Sequence, residues 1–444
     1  MAKEYLIGDF LKRIKRPIKL VDDQDYKLVT IKMNHNGVVL RELKKGAMIK
    51  SNMYQVKKGD FILSGIDARN GAFGIVPTEL DGAIVTNDFW YFEIDESIIS
   101  KRLFLELTAT TWFDEICKRG SDGTTQRIRL QKDKFFNQIV LLPEGNEQEE
   151  LLEKILSFKK GQSHLDSEII NQKELTTQLK QSILQEAIQG KLTEEWRKQN
   201  PDVEPASELL KRIKAEKAQL IKDKKIRKEK PLPPITEDEI PFELPEDWVW
   251  CRLGEIFQTT SGGTPNRSNS KYWNGSITWY KSGELNDGLL SANSQEKITE
   301  LGLKESSATL FPEGTLLIAM YGATAGKLAI LGRDATTNQA VCGFYKNQLI
   351  ESEYLFNFLM ANRSKMISES WGMSQPNISQ TYLKNFVFAL PPLGEQKRIV
   401  KKVKDLMKTV EQLKSEITQS EKHAQMLMQA VLKEAFESKK EEVC

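Results

Sequence analysis

The chain has 444 residues, 39% of them hydrophobic and 28% charged, with a formal net charge of +2. That length suggests about two to four domains of roughly 100–200 residues, and no apolar stretch approaches the ~20 residues needed to cross a bilayer. So small a net charge excludes binding to nucleic acid by bulk electrostatics alone.

From the N-terminus, Met1 to Tyr5 lacks a hydrophobic leader, so a cytoplasmic location is expected. Residues 1–143 read as a mixed module of short strands and turns. Tyr26–Ile31, Gly59–Ser64 and Gly82–Thr86 are strand candidates, with β-branched and apolar residues set between glycine-containing turns. The module ends at Leu142-Pro143, and a long helix is predicted from there to residue 195. Its apolar seam runs Leu151, Ile155, Phe158, Gln162, Leu165, Ile169, Gln172, Thr176, Leu179, Ile183. Steps of four and three sustained over four heptads are the seam of a coiled coil, here with polar breaks in its middle.

Residues 196–245 form a basic helical insert and a linker. Pro205-Ala206-Ser207-Glu208 opens a helix, Leu209 to Lys230 is rich in Lys and Arg, and Pro231-Leu232-Pro233-Pro234 is expected to stop it. Such a basic run reads first as a solvated helix face, and otherwise as a contact to phosphates or a partner protein. A second mixed module spans 246–392, with strands at Ser276–Tyr280 and Thr315–Met320. A second long helix follows at 393–440, its seam running Ile399, Val403, Leu406, Val410, Leu413, Ile417, Ser420, Ala424, Leu427, Val431.

The second half repeats the first. Leu142-Pro143, Glu147-Gln148, Ser167-Glu168-Ile169 and Glu186-Ala187 recur as Leu390-Pro391, Glu395-Gln396, Ser415-Glu416-Ile417 and Glu434-Ala435, without a gap. Within the modules, Gly59 and Gly71 are spaced like Gly314 and Gly326, and Thr86-Asn87 resembles Thr337-Asn338. Whole-module duplication follows. The fold class is α+β: two similar mixed α/β domains separated by two long helices that form an antiparallel coiled coil. Each helix of about 45 residues would span roughly 65 Å. Packing of each helix along its own module, or pairing with another chain, is the alternative.

Catalytic patterns are absent. Gly322-Ala323-Thr324-Ala325-Gly326-Lys327 has one residue too few for a phosphate loop, and Leu328 stands where a metal-binding hydroxyl is needed. HExxH, GxSxG, a dinucleotide fingerprint and the Asn-Pro-Pro-aromatic segment of an amino-methylating enzyme do not occur. Cys117, Cys251, Cys342 and Cys444 have no metal-ligand spacing, nor do His35, His164 and His423. Two loops could read a polymer. Lys118, Arg119, Thr124, Thr125, Gln126 and Arg127 sit in a glycine-containing loop that offers donors to phosphates and base edges. In the second module Thr264, Asn266, Arg267, Lys281, Tyr321, Thr324, Lys327, Gln375 and Asn377 are the candidates. Polar turns over aromatic core residues would give the same pattern. Residues 1–141 carry +4 and residues 246–391 carry −1, so any DNA contact must rest on local patches.

The chain resembles the specificity subunit of type I restriction-modification systems over nearly its full length. Leu390-Pro391-Pro392-Leu393-Gly394-Glu395-Gln396 and Leu142-Pro143…Glu147-Gln148 open the helices as in that family. Gly262-Gly263-Thr264-Pro265, Tyr272-Trp273-Asn274-Gly275, Lys281-Ser282-Gly283-Glu284-Leu285, Ile66 to Ala72, and Pro241 to Pro245 with Trp248 are also similar to its members. Glu144-Gly145-Asn146 departs from the second copy's Pro392-Leu393-Gly394, which puts the detailed start of the first helix in doubt. The resemblance implies two target-recognition domains, each reading one half of a bipartite site in double-stranded DNA. The rod would set the gap, since one B-DNA turn is about 34 Å.

It further implies two modification subunits on the helices, restriction/translocase subunits beyond them, and no membrane contact. S-adenosylmethionine, ATP and Mg would sit on those partners and no cofactor in this chain, which would be non-catalytic. The expected setting is a bacterial or archaeal cytoplasm, in association with the nucleoid. A coiled-coil scaffold without DNA specificity is the alternative function; a fused methyltransferase–nuclease would need motifs that are missing.

Overall fold

The computed structural model describes residues 3–108, 111–123, 128–370 and 377–437; of 111, 162, 425 and 428–437 it describes the backbone alone. The chain divides into two compact units, Met1–Asn171 with Ile417–Cys444, and Gln172–Glu416.

In the first unit, a mainly antiparallel frame carries β1 (Leu11–Ile14), β2 (Phe61–Ser64), β3 (Phe73–Ile75) and β4 (Phe89–Ile94), in the order β1-β4-β2-β3. Pairs such as Phe89↔Ser64 and Phe61↔Ile75 set its register. A ribbon of Lys3–Leu6 on Ile139–Leu142 brings the two ends of the module together. The core is aromatic: Phe61, Phe73, Phe92, Phe104, Phe113 and Phe135 pack at ring separations of 4.9–6.2 Å, mostly edge to face. A second, five-stranded sheet holds Asp25–Ile31, Val38–Lys45 and Ile84–Val85.

The second unit uses the same frame. β5 (Thr259–Ser261), β6 (Leu316–Ala319), β7 (Leu328–Leu331) and β8 (Val341–Phe344) lie in the order β5-β8-β6-β7, with Gly288–Leu290 added outside β7. Val249–Arg252 on Val387–Leu390 forms the closing ribbon. The likeness reaches single bonds. Gly65 N donates to Asp88 O (2.8 Å) as Met320 N does to Ala340 O (2.7 Å). Leu130 N donates to Gly65 O (2.7 Å) as Ile378 N does to Met320 O (2.8 Å). Gly71 and Gly326 take the same left-handed conformation, φ 72° and 79°, which a side chain would strain. The predicted strands are present: those at Phe61–Ser64, Ile84–Val85 and Leu316–Ala319 are shorter than expected, and those at Asp25–Ile31 and Trp273–Tyr280 begin earlier. The sequence match of Thr86-Asn87 to Thr337-Asn338 is displaced by one residue: pairing of Phe89 with Ser64 and of Val341 with Ala319 puts Asn87 at the place of Gln339. The modules differ most in the side sheet, which has three strands in the second unit.

The long helices run Asn146–Ile188 and Leu393–Glu437. In the first unit, Leu151 and Ile155 enter the module core. Beyond them Phe158, Gly161 and Leu165 face Ala424 and Leu427 across a cavity of about 520 Å³. In the second unit, Ile183, Leu184, Ala187 and Ile188 share one core with Ile399, Val403 and Val410. Early turns of one helix thus meet late turns of the other, as antiparallel pairing requires. Seam leucines Leu165, Leu179, Leu413 and Leu427 stay 39–55% exposed, so the seam closes best where it meets the modules.

Each helix is tied to its module by the glutamine of the repeated Glu-Gln pair. Gln148 donates to Pro143 O (2.9 Å) and accepts from Ser100 N (3.1 Å); Gln396 donates to Pro391 O (3.0 Å) and accepts from Glu351 N (3.0 Å).

The insert helix is shorter than its composition suggests. It runs Ala206–Lys222 and ends well before Pro231. Lys224 adopts φ 56° and the N–H groups of Lys225 and Ile226 turn back to Leu220 O, a left-handed C-terminal cap. Ala206, Leu209 and Ile213 are buried in the second unit's core. Its cations are largely matched by acids or carbonyls: Lys211–Glu208, Arg212–Glu204, Lys214–Glu255 and Lys217 on Gly254 O. That pairing fits a solvated face. The Pro-rich linker is strapped down by Arg252, 3% exposed, which donates to Pro233 O, Pro234 O and Asn385 O and pairs with Glu239.

Candidate nucleic-acid interface

In the second unit, the turn following β6 is where the candidate residues gather. Gly262-Gly263 leads out of β5 close under Thr337 and Asn338, where a side chain at 262 would collide; one at 263 would strike Ser307. Trp279, buried, fixes this turn by donating its indole N–H to Gly263 O at 2.9 Å. Thr264 then points its hydroxyl at Gln339 Oε1. Tyr321, 38% exposed, donates to Gln339 O at 2.9 Å, and its backbone bridges that of Asn377. Thr264, Tyr321, Asn377 and Gln339 therefore form one polar rim, with Thr324 behind Tyr321 (3.4 Å to its carbonyl).

A second group is organised by a carboxylate. Arg267 lies 4.0 Å from the centre of the Trp273 ring and 4.8 Å from that of Trp279, a cation–π arrangement. Glu296 binds Arg267 through both guanidinium nitrogens and Lys281 at 2.7 Å. Hydrogen bonds from Arg267 and then Lys281 pull the Glu296 carboxyl down to about 2. Both cations are half-exposed, so an incoming phosphate can compete for them.

The remaining candidates fall elsewhere. Asn266 spends its side-chain oxygen on Ser268 and its carbonyl on Trp273 Nε1, which makes it a turn former. Lys327 lies beside Asp287. Burial would raise the Asp287 carboxyl, but Arg363, Leu328 N and Lys327 together hold it below its ordinary value. In the first unit, Lys118 and Arg119 are exposed on the last turn of helix Thr111–Arg119, where positive charge also suits the helix dipole. Thr124, Thr125, Gln126, Arg127 and Gln375 lie outside the described residues.

Sequence reasoning did not single out Gln339 or Glu296, nor the first unit's Arg13 and Asp88; Asn87 stood out only as part of the repeat, and Arg129 closed the loop from Lys118 without being a candidate. Arg13 sits 4.5 Å over the Trp90 ring and donates to Asn87 O (2.8 Å) and Oδ1 (3.1 Å). Arg129 pairs with Asp88 at 2.9 Å. The echo of Thr86-Asn87 in the second half was the available signal.

Among the described residues no group of three or more His, Cys, Asp or Glu could hold a metal, and no helix is long and apolar enough to cross a membrane. Cys117, Cys251 and Cys342 are buried free thiols; burial pushes Cys342 up to about 12.

A family model described as "Type I restriction modification DNA specificity domain" matches residues 3–175 and 245–420, once on each half. The chain belongs to the type I restriction modification DNA specificity domain family. It is 33% identical over 285 residues to the type I restriction enzyme EcoEI specificity subunit of Escherichia coli, covering 58% of this chain and 44% of that one. It is 34% identical over 250 residues to the EcoAI specificity subunit of the same organism, covering 53% and 40%. The chain thus matches less than half the length of these relatives. Two solved structures share the fold over 98% of this chain, each at 17% identity. One comes from work on complex assembly and conformational transition of the type I R-M system (TM-score 0.62, 97% of that chain). The other is the HsdS subunit from Thermoanaerobacter tengcongensis (TM-score 0.53, 96% of that chain).

Proposed function

We propose that this specificity-domain protein is the non-catalytic DNA-recognising subunit of a type I restriction-modification assembly. Each module reads one half of a bipartite site in double-stranded DNA. The observation that carries this is a duplicated backbone frame: the same main-chain bonds present different polar side chains at the same turn, Gln339 and Asn377 in one module, Asn87 and Arg129 in the other. Phosphate contacts would fix position and base-edge contacts would choose sequence. Lys118 and Arg119 serve the first half-site, with Thr124, Thr125, Gln126 and Arg127. Thr264, Arg267, Lys281, Tyr321, Gln375 and Asn377 serve the second, with Asn266, Thr324 and Lys327 in supporting places.

The long helices dock two modification subunits, which bring S-adenosylmethionine and extrude the target adenine. Restriction/translocase subunits bring ATP and Mg. The expected boundaries stand as part of the proposal: recognition domains at 1–143 and 246–392, spacer helices at 144–195 and 393–440, insert and linker at 196–245. The working location is the cytoplasm, on the nucleoid. Co-expression with the modification subunit, followed by sequencing of methylated adenines, tests the reading. A split word with an unread gap is expected, and exchange of residues 1–143 for those of a relative should change one half only. Methylation at one uninterrupted word, or no dependence on the exchanged module, refutes it.

A further inference from the structure

The two modules hold the turn after β2 and the turn after β6 by the same pair of main-chain bonds, so positions around those turns correspond residue by residue. Ile66 stands at the place of Tyr321; they are 39% and 38% exposed. Asn87 stands at the place of Gln339, and Arg129, one residue before Leu130, at the place of Asn377, one before Ile378. In both modules the amide side chain at the first of these places is tethered from the strand that precedes it in the frame or just beyond it. Thr264 takes the oxygen of Gln339, and Arg13 takes that of Asn87. Neither amide is buried.

We infer that Asn87 and Arg129 read base edges in the first half-site, with Arg13 and Asp88 as the positioning residues that aim them. The inference rests on the recognition reading above. Because Arg13 occupies Asn87 Oδ1 at 3.1 Å, the amide nitrogen is left as a donor, suited to an acceptor such as purine N7, guanine O6 or thymine O4. Arg129 spends one terminal nitrogen on Asp88 and keeps a half-exposed guanidinium. Its remaining donors suit the O6/N7 edge of guanine, the geometry that arginine matches with two parallel bonds. Arg13 itself is held over Trp90, 4.5 Å from the ring centre, and bonds Asn87, so it acts through Asn87.

The experiment is adenine-methylation sequencing in cells that express the modification subunit with wild-type chain, Asn87→Ala, Arg129→Ala, Arg129→Lys, Arg13→Lys or Asn377→Ala. Wild type should mark a bipartite word. Asn87→Ala and Arg129→Ala should each relax one base of one half, with about tenfold or greater loss of preference, and leave the other half unchanged. Asn377→Ala should relax the opposite half. Arg129→Lys keeps the charge and loses the fork, so it should remain relaxed. Arg13→Lys should blur the Asn87 base only.

Bipartite marking by wild type with unchanged words in the Asn87 and Arg129 variants overturns the residue assignment alone. So does full restoration of the word by Arg129→Lys, which would make Arg129 a phosphate contact. Absence of any bipartite word with wild-type chain overturns the recognition reading and this inference with it.

Discussion

Glu395 is fully buried at the start of the second long helix and accepts three hydrogen bonds, from Thr193 Oγ1 (2.6 Å), Trp248 Nε1 (2.8 Å) and Arg197 (2.5 Å). All four residues lie in the second unit. The carboxylate ties the helix to the segment after the first long helix and to the end of the linker. Glu395→Ala would leave the buried Trp248 indole N–H without an acceptor, the Thr193 hydroxyl with only Gly190 O at 3.4 Å, and Arg197, 18% exposed, without its countercharge. Hydrogen bonds to charged groups contribute about 1.5–3 kcal/mol each, but these three are not independent, and Arg197 can reach some water. Breaking a buried pair from one side costs about 3–5 kcal/mol, and the lower half of that range is expected. Glu395→Gln keeps the volume and one acceptor, yet its amide N–H₂ meets the Trp248 indole N–H or the Arg197 guanidinium, neither of which can accept; about 2 kcal/mol is expected. Urea denaturation of the full chain, followed by tryptophan fluorescence, gives both values. Loss of less than ~0.5 kcal/mol in Glu395→Gln, a change no larger than that of an ordinary surface substitution, would refute the claim that this carboxylate is a structural node.

Other outcomes follow from the same geometry. Arg252→Met removes the donors that hold Pro233, Pro234 and Asn385, so proteolysis within residues 223–245 should become faster while the modules stay folded. Hydrogen bonds from Arg252 and Thr236 pull the Glu239 carboxyl down to about 2. Its contribution is therefore complete above the ordinary glutamate range near pH 4.3 and fades as pH falls toward 2, so strap cleavage should rise over that window by an acid-active protease. Gly161 lies in a helix interior with open space where a side chain would stand, and Gly161→Ala should stabilise the chain by about 1 kcal/mol in thermal or urea unfolding. Gln396→Ala strands Pro391 O and Glu351 N and should cost about 2 kcal/mol, again by urea unfolding.

The repeat was legible because the same residues do the same work twice: Gln148 and Gln396 bind matching prolyl carbonyls, and Gly71 and Gly326 take matching left-handed turns. The seam was legible from its period, although Leu165, Leu179, Leu413 and Leu427 are less covered than a complete coiled coil would make them. The strap was not legible, because Arg252 meets three carbonyls from two stretches far apart in the sequence, and no period marks such a residue. Gln339 and Glu296 were missed for a related reason. They become meaningful only when folding brings Glu296 to Arg267 and Gln339 to Thr264. The near-neutral charge also has a structural counterpart, since Glu296 already neutralises part of the cationic patch it organises.

If the proposed reading holds, this division of labour bears on how one frame would serve two different words. The bonds that fix the turns at Gly65 and Met320 run from main chain to main chain, so they are indifferent to the side chains at 66 and 321, 87 and 339, 129 and 377. The four polar side chains at 87, 129, 339 and 377 are exposed, so changing them removes little buried apolar area, the quantity that dominates folding stability, whereas Ile66 and Tyr321, 39% and 38% exposed, carry more of it. On the proposed reading, stability and specificity are thus carried by neighbouring residues of the same turns, the main chain of 65, 88, 130, 320, 340 and 378 and the side chains beside them. The exceptions mark the limit: Gly262 and Gly263 cannot take a side chain beneath Thr337 and Ser307, and Trp279 must keep its N–H on Gly263 O. Variation in the word should therefore accumulate on the rim and stop at the glycine turn. In that turn, the same substitution would cost fold and recognition together.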